Sequence, residues 1–198
     1  ELLPERVCSS HNQNGDMTEV DIDPTEQGYH RPYLAAILAA CGVLVLYVLT
    51  LAPTTAFWDT SEYIATAHIL GIPHPPGNPL FVVLGKAWSI LLAPLGFSIA
   101  VRINLLAALT SAVASGFLYL VAHRVLIELF EDRWCAIVGA AASTILGATA
   151  FTVWNQSNVN EKVYTISVLV IAWVTWLAIL WNDRKDDLGS ERYLLGMI

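Results

Sequence analysis

Four stretches of this chain run for eighteen residues or more without a charged side chain: 33–52, 105–122, 134–154 and 163–181. At about 1.5 Å of rise per helical residue, each can reach across a hydrocarbon layer of roughly 30 Å. Composition points the same way. Apolar residues make up 56% of the chain and charged residues 14%, against about 25% charged in an average soluble domain. That balance excludes a disordered chain, a nucleic-acid binder and an ordinary cytosolic enzyme. The expected fold class is all-α: a polytopic, membrane-embedded helical protein with the lipid bilayer as its first partner.

The net charge of −7 says little about partners, because residues 1–32 contribute −5 of it through seven acids and two bases. This stretch has no helical apolar stripe and is read as a polar cytoplasmic tail, with the membrane domain occupying 33–198. Three scattered cysteines make neither a disulfide framework nor a metal site. The chain opens on a glutamate, and residues 193–198 look like the first turns of another apolar segment. The sequence is therefore expected to be the N-terminal part of a larger protein.

Residues 80–95 are apolar but carry Lys86 near the middle and Pro94 near the end. A lysine at the bilayer centre costs roughly 2.5–3.5 kcal/mol on the insertion scale. Counting Lys and Arg on the two sides decides the case. If 80–95 crosses, the cytoplasmic side holds four bases and the outer side five. If it lies along the outer interface, the split is seven against three. The expected topology therefore has four spans, with 53–101 as a long first outer loop holding two interfacial helices, an amphipathic one over 58–70 and a second over 80–95. The proline-rich 71–79 is expected to be non-helical. The tryptophans fall mostly near segment ends, as an interfacial belt would.

Under this topology the ionisable side chains gather at the outer face. Asp59 and Glu62 are spaced i, i+3, which puts both carboxylates on one helix face. Two close carboxylates can split their pKa values or share a divalent cation. Spacing alone favours a plainer role, acids at the start of a surface helix. Four prolines in 72–79 fix a path that can aim His74, or simply connect two helices. Arg102, at the outer end of a span, can grip a phosphate bidentately or snorkel to headgroups. Glu161 can join the acids across the same face, or pair with Lys162 at a helix start.

The stretches FWDTSEYIATAHILGIPHPPGNPLFVVLGK (57–86), VRINLLAAL (101–109) and NEKVYT (160–165) resemble a family of membrane proteins long described as a domain of unknown function. It lies within the GT-C glycosyltransferase superfamily, and a vertebrate member is a transmembrane protein O-mannosyltransferase. The resemblance covers about 33–198. It implies a GT-C type fold in which a first-outer-loop carboxylate is the catalytic base, a role that maps onto Asp59 with Glu62 as its neighbour. It further implies substrate-binding roles for His74, Arg102 and Glu161. The expected activity is inverting transfer of a sugar, mannose by resemblance, from a polyprenyl-phosphate donor to a protein or glycan hydroxyl on the extracytoplasmic face; in a bacterium this is the cell inner membrane. A divalent cation is left open as cofactor. Thr60-Ser61 departs from the small residue and glycine more usual in that family. A transporter and a non-catalytic membrane scaffold are the competing readings.

Overall fold

In a computed structural model, residues 29–55, 59–130, 132–159, 163–187 and 189–198 are described. The chain divides between Arg31 and Pro32, and the second unit carries all the described helices. These are α1 (Tyr33–Leu49), α2 (Thr60–Ile69), α3 (Pro79–Leu91), α4 (Ile99–Phe130), α5 (Arg133–Thr149), α6 (Phe151–Asn158), α7 (Tyr164–Asn182) and α8 (Glu191–Leu195), with a short 3-10 turn at Ala93–Leu95. The described residues contain no strand.

The long helix α4 is the central post, with α1, α5 and α7 packed on it. Small residues permit close approach. A Cβ added to Gly116 would meet the Ala40 Cβ at 3.2 Å and the Ala36 carbonyl at 3.3 Å, so α1 crosses α4 nearly backbone to backbone. Such contacts replace the hydrophobic drive that helices lack in lipid. Contacts fix the directions. The Asn104 amide donates to the Ala52 carbonyl, while Gly116 faces Ala36 and Ala40, so α1 runs antiparallel to α4. Arg124 of α4 pairs at 2.9 Å with Asp183 just after α7, and the starts of the same two helices share a core with Ile103 and Val163. So α4 and α7 run parallel.

Where the sequence implied four spans, two helices are long and apolar enough to cross a membrane, α4 and α7; the pair α5–α6 is a third if its two parts count as one. At 17 residues α1 is shorter, ending at Leu49 rather than Ala52. Between the apolar runs 105–122 and 134–154 the chain stays helical to Phe130. It can, because Arg124 is neutralised by Glu128 one turn on and by Asp183. The run 134–154 breaks at Ala150, with 66° between α5 and α6. No proline causes this. The Tyr47 hydroxyl of α1, fully buried, donates at 2.9 Å to the Ala148 carbonyl, and a side chain entering the helical ladder is a recognised cause of kinks.

Helix α3 has 13 residues, about 20 Å of rise, too short to cross. It packs against α2 and the start of α4. Lys86 turns its ammonium to the His68 carbonyl at the end of α2, at 2.5 Å.

Candidate active site

Helix α2 starts at Thr60 with Asp59 in the N-cap position. Aspartate is favoured there because its carboxylate can accept from the first free N–H groups, yet Asp59 makes no such cap bond. The plain capping role that spacing favoured is therefore absent for this side chain. Glu62 lies in the first turn. The helix ends with Leu70 left-handed (φ 57°) and the Gly71 N–H returning to the Thr66 carbonyl at 2.9 Å.

From there 72–78 doubles back over α2. The Gly77 N–H closes a turn onto the His74 carbonyl at 3.0 Å. Gly77 sits at φ +82°, a region that only glycine enters freely. Asn78 follows at φ 35°, and Pro79 starts α3 at its first position, where a missing N–H costs nothing.

This return brings His74 onto Glu62 at two points. The His74 backbone N–H donates to Glu62 Oε1 at 2.6 Å, and ring Nδ1 lies 2.8 Å from Oε2. An ionised carboxylate only accepts, so the Nδ1 that faces it carries the proton. Nε2 is left towards Asp59, 3.8 Å from Oδ2. The two bonds from His74 hold the Glu62 carboxyl below its ordinary value, with the ring contact the larger cause. Behind the ring stands Tyr63, 1% exposed and edge-on to His74 at 5.8 Å. Its hydroxyl accepts from the Asn78 amide at 2.8 Å, and its ring meets Phe81 at 5.6 Å. The loop that carries His74 is therefore tied to α2 on both sides of the histidine.

The side chains of Asp59, Glu62 and His74 are 31%, 39% and 41% exposed. A substrate can reach them. One donor atom from each lies within 4.8 Å of the others, a spacing on which a divalent cation could be held if His74 turned from Glu62. The cluster is already satisfied without an ion, because Glu62 and His74 bond each other.

Of the five residues singled out in sequence, the fold brings together Asp59, Glu62 and His74. Arg102 faces elsewhere: its Nη1 donates to the Ser89 carbonyl at 3.0 Å and its Nε to Phe97 at 2.8 Å, while its own carbonyl accepts from the Trp88 indole. It ties the end of α3 to the start of α4. Two of its five N–H groups are used in these bonds. Glu161 lies outside the described residues. Sequence reasoning missed Tyr63, Asn78 and Phe81, which support the site from behind. An asparagine before a helix-initiating proline, next to a glycine, was the available signal for Asn78.

Two helix contacts set the position of α2. A Cβ built on Gly85 of α3 would lie 2.9 Å from the Ala67 Cβ, so the two helices touch backbone to side chain. Tyr63, Ile64, Ala67, Phe81, Val82, Ile103 and Leu106 then form one buried cluster, against which Val163, just before α7, and Ile166 of α7 pack. Further along the same helices, a groove of about 760 Å³ opens between α4, α5, α6 and α7. Many of its lining residues bear hydroxyls, and several of these are turned to the protein, Ser157 of α6 also meeting the Ser111 hydroxyl of α4 at 2.8 Å. Ser115 donates to the Ser111 carbonyl, Thr144 to Ala140 and Ser157 to Val153. The wall is apolar in effect.

Residues 59–198 match the family model described as protein O-mannosyl-transferase TMEM260 N-terminal domain. The chain is 26% identical over 157 residues to protein O-mannosyl-transferase tmem260 of Dictyostelium discoideum, a match covering 79% of this chain and 18% of that protein. It is 30% identical over 152 residues to protein O-mannosyl-transferase TMEM260 of Mus musculus, covering 75% and 20%. The chain thus spans about a fifth of the length of these curated relatives. No solved structure matches.

Proposed function

Since the chain belongs to the protein O-mannosyl-transferase TMEM260 N-terminal domain family, we propose that it is part of an integral-membrane glycosyltransferase that moves mannose from a polyprenyl-phosphate donor to a protein hydroxyl. Asp59 is the general base. The observation that carries this reading is the Asp59 carboxylate, unused as a helix cap and set beside a histidine that Glu62 locks in place. Glu62 is engaged twice by His74, which holds its carboxyl below the ordinary value.

Asp59 takes the proton from the acceptor hydroxyl as its oxygen attacks the anomeric carbon. The new C–O bond forms as the bond to the phosphate oxygen breaks, and the lipid phosphate leaves with the electron pair. A single displacement inverts the anomeric centre. His74 binds the reacting groups through its Nε2 face, Glu161 is a further substrate contact, and Arg102 offers the donor phosphate only the N–H groups not spent on Ser89 and Phe97. Nucleotide sugars stay in the cytoplasm, so chemistry on the outer face needs a lipid-linked donor. The apolar groove along α4–α7 supports a donor with an apolar chain. The basic count of seven against three supports an orientation with 1–32 cytoplasmic and the Asp59 cluster extracytoplasmic.

The test is mannose transfer from a polyprenyl-phosphate donor by the full-length protein. General-base catalysis is typically worth about 10²–10⁴-fold, and Asp59→Asn should lose that much turnover while still binding donor. Near-normal turnover in this variant would remove Asp59 as the base. No transfer by the wild type from any polyprenyl-phosphate sugar would sink the activity itself.

A further inference from the structure

A second polar cluster lies at the other end of α7, about 28 Å of helix away from the Asp59 site, and the transfer chemistry makes no use of it. After α7 the chain turns twice. The Asp187 N–H returns to the Arg184 carbonyl at 2.9 Å, and the Tyr193 N–H to Ser190 at 3.0 Å, with Gly189 at φ +90° between them. The buried Ser190 hydroxyl reaches the Lys185 carbonyl at 3.5 Å. These turns fold α8 back alongside the end of α7.

The result is two guanidinium groups on one phenol. Arg184 Nη1 donates to Tyr193 Oη at 2.7 Å, and Arg192 Nη2 to the same oxygen at 3.2 Å. Their central carbons lie 5.9 and 5.0 Å from the Tyr193 ring centre. Among the described residues neither arginine has an ion-pair partner. Asp183, the acid adjacent to Arg184, is held at 2.9 Å by Arg124 instead. Asp186, Asp187 and Glu191, the other acids of these turns, form no ion pair with either arginine.

Two like charges converging on one neutral oxygen repel each other unless an anion sits between them. The phenol accepts both donors and keeps its own O–H to give. Each guanidinium has used one of its five N–H groups here. That set of donors suits a tetrahedral, doubly accepting anion such as a phosphate, which arginine grips in fork fashion. Position selects the source of the phosphate. The pair lies directly after a helix long and apolar enough to cross a membrane. Leu194 and Leu195 of α8 are exposed beside it. A basic pair next to apolar side chains at the end of a span is the arrangement that meets a lipid headgroup.

We propose that Arg184, Arg192 and Tyr193 form a phosphate-binding site that holds the headgroup of an anionic membrane lipid at this end of the helical bundle. The site is independent of the transfer reaction and does not rest on it. The experiment is native mass spectrometry of the full-length protein in detergent, titrated with phosphatidylglycerol in one arm and inorganic phosphate in the other. Wild type should retain phosphatidylglycerol and show no adduct with inorganic phosphate at the same concentration. Each lost charge-assisted contact should weaken retention about tenfold or more, so Arg184→Gln with Arg192→Gln should abolish it. Arg184→Lys with Arg192→Lys, which keeps the charge and loses the fork, should fall between the two and guards against a folding defect in the glutamine pair. Equal lipid retention by wild type and the lysine pair would overturn the forked site, and equal retention by the glutamine pair would overturn the site altogether. Binding of inorganic phosphate as tight as that of the lipid would overturn the headgroup assignment.

Discussion

Gly85→Ala is the most incisive single change for the link between packing and chemistry. The new Cβ would lie 2.9 Å from the Ala67 Cβ, while carbon atoms rest at about 3.5–4.0 Å. Helices α2 and α3 must therefore separate by roughly 0.6–1.1 Å. Ala67 is fully buried within the cluster of Tyr63, Phe81 and Ile103, so neither side chain can swing away. Overpacking of this kind costs about 1–3 kcal/mol. Asp59 and Glu62 ride on α2, and the His74 loop joins α2 to α3, so the same displacement opens the Asp59–His74 gap. A misplacement of about 1 Å at a reacting centre can cost about 10²-fold in rate. The assay is thermal unfolding of the full-length protein in detergent together with mannose turnover. Ala67→Gly in the same chain removes the clash and should restore most of both, beyond its own helix penalty of about 1 kcal/mol. If Gly85→Ala leaves melting and turnover unchanged, or if Ala67→Gly fails to rescue it, the close helix contact does not position the site.

Three other outcomes are expected. The Glu62 carboxyl is held below its ordinary value by His74, so the stability it lends the loop is present above the ordinary carboxylate range and is lost as pH falls through the lowered value. The protection factor of the His74 amide, corrected for intrinsic exchange, should drop between about pH 6 and about pH 3; a flat profile would show that Glu62 does not hold the loop. Tyr63→Phe removes the acceptor of the Asn78 amide and should cost about 0.5–1.5 kcal/mol; Asn78→Ala also puts alanine at a φ of 35° and should cost more, and thermal unfolding of the pair should fall short of the sum of the two by about 0.5–1.5 kcal/mol. In a cysteine-free background, Ser98→Cys and Asp186→Cys should label from opposite sides of the membrane. Labelling of both from one side would overturn the proposed orientation and, with it, the extracytoplasmic position of the Asp59 cluster.

The parts of this fold that were legible in the sequence are those set by local rules. The i, i+3 acids sit at the start of α2, the proline-rich 71–79 stays out of helix up to Asn78, with Pro79 opening α3, and 80–95 yields a helix too short to cross. What escaped depends on partners distant in sequence. Along the continuation of α4 past His123, Arg124 is paired both with Glu128 one turn on and with Asp183, about sixty residues on, and only the first pair is readable from local spacing. The break at Ala150 needs a hydroxyl from α1, since neither Thr149 nor Ala150 is a helix breaker. At the site, spacing put Asp59 and Glu62 on one face and resemblance singled out His74. The hold of Glu62 on His74 arises from the return of the loop, which no periodicity encodes. Arg102 illustrates the opposite case: a residue type suited to phosphate, whose fork the fold largely turns to backbone carbonyls.

The two-point grip of Glu62 on His74 separates two kinds of sequence variant. One of its bonds is to the histidine backbone, which every non-proline residue possesses, and the other is to the ring. A substitution at 74 therefore erases the imidazole yet leaves the loop moored by its amide. A substitution at 62 to a residue without a side-chain acceptor casts off both lines together. Among natural chains of this kind, drift at 74 would leave a folded protein with altered chemistry, whereas drift at 62 would have to be matched by a new mooring for the whole proline-rich turn.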